Sequence, residues 1–260
     1  MPTGFTDLDA ITTGLRPGTL TVLASRPGVG RSTLLLDFVR GCTIKHGLGA
    51  ALFNLELPAT EINQRILSAE ARIRLGDMRG GRMNSDDDWT RLARRMSELA
   101  EAPLWLNSTP AASVEAVAAE ATELCAQHPM GLIAVDSPAS LTASVEAGAS
   151  RERELSTAVR RVKTLARELD VPVVVTAELG RSVDNRADRR PALSDLRESD
   201  TIHQVADNII LIHRPDAVER DDPRMGEADL ILAKHRQGPP TTVTVAHQLH
   251  YSRFVDMAKE

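Results

Sequence analysis

The segment Ser25-Arg26-Pro27-Gly28-Val29-Gly30-Arg31-Ser32-Thr33 follows a short apolar run and leads into a helical pattern. A strand, a loop of small residues and a helix N-terminus together make an anion site. Backbone N–H groups converge there, and the positive end of the helix dipole faces the bound charge. The phosphate-loop pattern has glycines at both ends of a four-residue spacer, then Lys, then Ser or Thr. Here Gly30 and Ser32 match, Ser25 stands at the first glycine position and Arg31 at the lysine position. Ser32 is the expected Mg²⁺ ligand through its hydroxyl. Asp136 closes the apolar run Leu132-Ile133-Ala134-Val135, where a carboxylate would hold the magnesium shell. Glu56 follows a second such run and could orient a water. A ligand-free turn and ordinary acidic strand ends would explain each feature singly. Their chain order favours a nucleotide site.

These residues need a parallel sheet to bring them together, and the sequence has the rhythm of one. Leu20–Ser25, short and apolar, reads as a buried strand, and residues 32–45 carry Leu34, Leu35, Phe38 and Val39 at helical spacing. A strand over 50–55 precedes a helix across Ile62, Ile66, Leu67 and Ala69. A helix over 86–99 starts at Ser85, which caps it, and its three aspartates complement the dipole. Strands over 104–106, 132–136 and 171–176 alternate with helices over Val114–Gln127 and 152–169. Such alternation implies an α/β fold with helices on both faces of a parallel sheet. After Asp207 come runs over 209–213, 229–234, 241–247 and 254–255 with little helix between, so antiparallel strands are expected to end the sheet. There is no internal repeat, and one domain over residues 1–260 is expected. Residues 142–150 and 182–190 are the candidate mobile loops, and Trp89 and Trp105 fit core positions.

The 260 residues carry 31 Lys+Arg against 36 Asp+Glu, a net charge of −5 that argues against a passive polybasic nucleic-acid binder. With 42% hydrophobic residues the chain can bury a sizeable core. Its two cysteines, Cys42 and Cys125, neither staple such a fold nor make a four-cysteine zinc site, which suits a reducing cytoplasm. No apolar run approaches the roughly 20 residues of a membrane helix, so no membrane partner is expected.

Beyond this site, the chain resembles the C-terminal motor domain of DnaB-type replicative DNA helicases, which have the RecA-like P-loop NTPase fold. The resemblance rests on ordered segments along nearly the whole chain: Thr3-Gly4-Phe5-Thr6-Asp7-Leu8-Asp9 with Thr13-Gly14-Leu15, Arg26-Pro27, Leu55-Glu56-Leu57, residues 65–69, 165–168 before Val171-Pro172-Val173, 194–199 (SDLRES) and 233–239 (AKHRQGP). It implies an ATPase with ATP and Mg²⁺ as cofactors, a homo-oligomeric ring (a hexamer), single-stranded DNA as partner and contact with other replication proteins. Carried over by position, Arg26 to Thr33 would bind the nucleotide. Glu56 would activate the attacking water, Asp136 would hold the Mg²⁺ shell and Arg65 would lie near the base. Lys234 and Arg236, on one face of a strand, would reach the γ-phosphate of a neighbouring subunit, although spacing alone reads them as exposed edge charges. Arg197, Glu198 and Ser199 would contact DNA phosphates, giving sequence-indifferent, salt-dependent binding. The chain opens on the motor segment, so the family's helical N-terminal domain is expected to be absent, as in an excised domain or a stand-alone relative.

The sequence departs from the family pattern in four places. Arg31 replaces the compact P-loop lysine with a bulkier planar cation. Glu178 stands where the family places a γ-phosphate-sensing glutamine; a like-charge pair at about 4 Å and an effective dielectric near 20 costs on the order of 4 kcal/mol before compensation. Asp200 replaces a glycine in the DNA loop, and Ser137-Pro138-Ala139 replaces a bulkier sequence. The expectation is that Arg31 pairs with Glu178 or Asp136 and that hydrolysis is weakened. The alternative to a motor is therefore a relative that binds nucleotide and regulates or assembles others.

Overall fold

Alternating side chains decide how each strand is covered. In β1 (Leu20–Ser25) all six residues are buried. Leu20, Val22 and Ala24 join one apolar cluster, whereas Leu23 joins another on the opposite face. The computed structural model describes residues 1–83, 85–110, 112–144, 150–196, 200–219 and 221–258. Within them the further strands are β2 (Gly49–Asn54), β3 (Leu104–Asn107), β4 (Met130–Asp136), β5 (Val173–Glu178), β6 (Asn208–His213), β7 (Glu227–His235), β8 (Thr241–Gln248) and β9 (Arg253–Asp256). Helices α1 (Thr6–Thr12), α2 (Arg31–Arg40), α3 (Ala59–Ala71), α4 (Leu75–Arg79) and α5 (Asp86–Glu101) precede α6 (Val114–Gln127), α7 (Arg151–Leu169), α8 (Asp200–Val205) and α9 (Pro215–Val218).

The strands form one sheet in the order β3-β2-β4-β5-β1-β6-β7-β8-β9. The first six neighbours pair in parallel and β7 to β9 are antiparallel, as the sequence implies. Leu8, Phe38, Ile62 and Ile66 pack α1, α2 and α3 on one face. Val117, Ala121, Val159, Val162 and Ile202 pack α6, α7 and α8 on the other. Because β1, β2, β4 and β5 run the same way, their carboxyl ends share one edge. Register sets Ser25 beside Glu178 and Asn54 beside Asp136. Ligands of open α/β sheets bind at that edge.

Several boundaries differ from the sequence reading. The helix entered at Arg31 stays α-helical only to Arg40 and continues as a wider π turn over Gly41–Lys45. At Gly41 a Cβ would lie 3.0 Å from the Thr3 carbonyl, so the N-terminal segment crosses where no side chain stands. Strand β5 starts at Val173, after Pro172, which has no N–H to pair. Ser85 caps α5 by accepting from Asp88 N–H at 3.0 Å. Trp89 is not a core residue. It is 56% exposed on α5, a helix with no buried residue, and its indole N–H donates to the Met83 carbonyl at 3.2 Å. Trp105, on edge strand β3, is half-buried and stacks on His128 with centroids 4.5 Å apart. Residues 182–190 are pinned rather than free: Val183 is buried in a single turn over Arg181–Asn185, and Arg186 pairs with buried Asp195 at 2.6 Å. Of the other candidate loop, 145–149 lie outside the described residues. No helix among the described residues is long and apolar enough to cross a membrane.

Candidate nucleotide site

The loop after β1 opens with a tight turn. Pro27 occupies its second position, Gly28 (φ +77°) its third, and Val29 N–H donates to the Arg26 carbonyl at 3.3 Å. That is a type II turn, whose third residue must accept positive φ. Gly30 (φ +124°) then caps α2 with no side chain to bond the first turn. Among the described residues nothing accepts from the amides of Arg31, Ser32 and Thr33, which stand open at the positive end of the helix. Ser25, at the first glycine position, is buried and turns its hydroxyl onto the Arg26 carbonyl at 2.8 Å, so a side chain fits there.

In front of this loop lies a cavity of about 400 Å³, bordered by Gly28, Gly30, Arg31, Ser32, Arg65 and Leu249. Arg65 reaches it from α3. Glu61 holds its guanidinium at 2.7 Å, while its Nε is buried with no partner among the described residues. An unpaired buried donor beside open helix amides suits an anionic ligand.

Asn54, which sequence reasoning missed, links the Glu56 backbone to the Asp136 carboxylate. At the end of β2 its Oδ1 accepts from the N–H groups of Glu56 (3.2 Å) and Leu57 (2.7 Å). Its Nδ2 donates to Asp136 Oδ2 at 3.3 Å. The only signal for this in the sequence is an Asn standing between an apolar run and Leu-Glu. Asp136 is 1% exposed and also accepts from the Thr176 hydroxyl at 2.6 Å. Glu56 lies two residues past β2. Desolvation, then the Asp136 charge, raises its carboxyl above the usual range, with Arg31 opposing and Glu178 adding. For Mg²⁺ the donors fit: the Ser32 hydroxyl has no partner among the described residues, and Asp136 is a fixed carboxylate. Magnesium is commonly held by one or two such groups plus substrate phosphates and water. Among the described residues no group of three or more His, Cys, Asp or Glu side chains converges as an all-protein site would.

Arg31 does pair with Glu178, Nη1 to Oε2 at 3.5 Å. Glu178 also faces Arg26 at 3.8 Å, and Arg26 is itself held by Asp184 (3.0 Å) and the Leu179 carbonyl (2.9 Å). Arg26 therefore braces the loop against the segment after β5. Lys234 and Arg236 sit elsewhere. Lys234 donates to the carbonyls of His203 and Gln204 at the end of α8, and Arg236 pairs with Asp207 at 2.8 Å. Register places Thr21 beside Asn208 and Asn208 beside His235, at the opposite end of the sheet from Ser25. Four residues of strand, about 13 Å at roughly 3.3 Å per residue, separate those ends. Arg197, Glu198 and Ser199 lie outside the described residues, and Asp200 opens α8, where a carboxylate complements the dipole.

The DnaB-like helicase C terminal domain family model matches residues 1–256. Over 228 residues the chain is 55% identical to the replicative DNA helicase DnaB of Mycobacterium leprae, covering 88% of this chain and 37% of that protein. With the replicative DNA helicase DnaB of Leifsonia xyli it shares 45% identity over 258 residues, 99% of this chain and 56% of that protein. The chain thus spans little more than a third to just over half of these relatives. Among solved structures, a DnaB-like replicative helicase, described together with its interactions with primase, superposes with a TM-score of 0.94 at 29% identity, covering 99% of this chain and 62% of that one. The RadB recombinase, at 19% identity and a TM-score of 0.59 over 98% of this chain and 99% of that one, shares the fold alone. With its RecA-like sheet, its phosphate-type loop and this match along almost its whole length, the chain belongs to the DnaB-like helicase C-terminal domain family.

Proposed function

We propose that this chain is a single RecA-like domain that binds ATP and Mg²⁺ and hydrolyses ATP to drive movement on single-stranded DNA in replication. It would act in the cytoplasm as part of a homo-oligomeric ring, a hexamer by family resemblance. One observation carries the reading: open amides at Arg31, Ser32 and Thr33 face a cavity, and Asn54 ties Glu56 and Asp136 together at the same sheet edge.

The loop amides hold the β- and γ-phosphates, Ser32 and Asp136 hold Mg²⁺, and Arg65 borders the remainder of the nucleotide. Bound Mg²⁺ would supply charge neutralisation at the phosphates. Glu56 takes a proton from water as its oxygen bonds to the γ-phosphorus. The bond from that phosphorus to the β,γ-bridging oxygen breaks, and ADP leaves with the electron pair. Lys234 and Arg236, remote from their own loop, serve the neighbouring subunit's phosphates, which makes turnover depend on assembly. Arg197, Glu198 and Ser199 contact DNA phosphates.

A second reading, a nucleotide-binding relative with weak or no hydrolysis that regulates or assembles others, is favoured by the pairing of Arg31 with Glu178. Steady-state ATPase activity with and without single-stranded DNA, with native mass measured alongside, separates the two. A DNA-stimulated, ring-dependent rate supports the motor. Tight MgATP binding without turnover supports the regulator, and no nucleotide binding rejects both.

A further inference from the structure

Beside the phosphate loop, two residues of the segment that follows β6 and one residue of β8 form a chain of polar contacts. Arg214, just past β6, donates from Nη1 to the carbonyl of Gly28 at 3.4 Å. Asp216 grips the same guanidinium at two points, Nε at 3.1 Å and Nη2 at 3.2 Å. His247 on β8 donates from Nε2 to Asp216 Oδ2 at 2.7 Å. All three side chains are only 12–13% exposed. Burial pushes the Asp216 carboxyl up, but the bonds from Arg214 outweigh it, so the carboxylate stays ionised and accepts from both sides. His247 faces Phe254 across the β8–β9 pair, and the Phe254 ring packs against Gly30. The C-terminal antiparallel strands therefore touch the loop at both of its glycines, by a hydrogen-bond chain at Gly28 and by packing at Gly30.

We infer that Arg214, oriented by Asp216 and His247, is a positioning residue for the phosphate loop, holding the Gly28 peptide outward so that the loop keeps its anion-binding shape. This rests on the nucleotide reading above. The Gly28 carbonyl belongs to the peptide at a positive-φ turn whose N–H, that of Val29, reaches the Arg26 carbonyl only at 3.3 Å, so Arg214 supplies a second hold on the other side of the same peptide. At 3.4 Å the bond to Gly28 is long, but its donor is a charged guanidinium held at two points by the partly buried Asp216 carboxylate.

Isothermal titration of MgATP into the purified chain tests it, with thermal melting followed for every variant. R214A is expected to weaken MgATP about 10-fold, the scale of losing one hydrogen bond to a charged group, and H247A about 3-fold. The double variant R214A/H247A should bind no more weakly than R214A, because His247 acts only through Arg214. Should R214A fail to fold, R214K, which keeps the charge without the two-point grip, takes its place with the same expected direction. Unchanged affinity in R214A or R214K, or additive losses in the double variant, overturns the inference while leaving nucleotide binding intact. A wild-type chain that takes up no MgATP removes the nucleotide reading and this inference with it.

Discussion

Arg31 Nη1 stands 3.5 Å from Glu178 Oε2, so the cation at the phosphate loop is already partnered by an acid of the neighbouring strand. The contact answers the electrostatic cost of a glutamate at a phosphate site. Glu178 sits between Arg31 and Arg26, and it is 54% exposed, so water screens it. Exposed pairs are worth at most about 1 kcal/mol, well below the roughly 4 kcal/mol of a like-charge approach at an effective dielectric near 20. The pair must nonetheless part before Arg31 can reach a triphosphate.

Arg31→Lys should therefore raise ATP turnover several-fold. Lysine is a compact point charge that fits between β- and γ-oxygens, where the bulkier guanidinium does not. Glu178→Gln should tighten MgATP up to about fivefold, the factor that about 1 kcal/mol represents. Initial-rate kinetics on both variants check this. An unchanged or lower rate in Arg31→Lys counts against the lysine argument.

Glu56→Gln should lower turnover by about 10² to 10³-fold and leave MgATP affinity nearly unchanged, the effect of removing a general base. The pH profile tests the assignment further. Glu56 must be ionised to accept the water's proton, and its carboxyl titrates above the usual range because of desolvation, then Asp136. The rate should fall as pH drops through that raised value. Glu178 adds to the rise, so Glu178→Gln lowers the Glu56 value and moves the acid limb to lower pH. An acid limb that stays in place or moves upward removes Glu56 from the role of base.

Lys234 and Arg236 lie a sheet's length from their own loop, which makes complementation the direct test of action between subunits. Arg236→Ala alone should lose about 10³-fold in turnover, the lower range for an arginine finger. Mixed with Glu56→Gln subunits, which keep both cations but not the base, activity should rise above that of either parent. Size-exclusion chromatography of the mixture establishes that the subunits assemble. Assembled mixtures no more active than their parents would return both cations to the role of edge charges, tied to α8 and Asp207 as they are here.

The strands and most helices were legible because apolar period and turn residues agreed. Leu20–Ser25 and Val114–Gln127 are bounded in the structure where their patterns begin and end. Trp89 misled because a bulky apolar residue at helical spacing marks a face, and the face it marks on α5 is shallow. The acids and the loop were readable from chain order, since strand ends share one edge in a parallel sheet. What positions them was not. Asn54 meets Asp136 only because β2 lies beside β4, and the local pair of Arg214 and Asp216 meets His247 only when the sheet brings β6 beside β7 and β7 beside β8. No local period encodes such a meeting.

The two loop glycines should differ sharply when replaced, because only one is crowded. Both hold positive φ, so alanine at either costs on the order of 1–2 kcal/mol in backbone strain. At Gly28 a Cβ would meet nothing among the described residues within 4 Å, whereas at Gly30 it would lie 2.7 Å from the Phe254 ring. Overpacking of that kind adds about 1–3 kcal/mol, since Phe254 is itself buried against α2 and its N–H is held by Asp37 at 2.7 Å. Gly28→Ala should therefore lower the thermal midpoint modestly, and Gly30→Ala by roughly twice as much or more. Because the displaced element would be the strand that faces α2, Gly30→Ala should also lose protection of β9 amides in hydrogen exchange, while Gly28→Ala should not. Equal midpoints and equal protection in the two variants would mean that the ring does not press on the loop, and that β9 plays no part in shaping it.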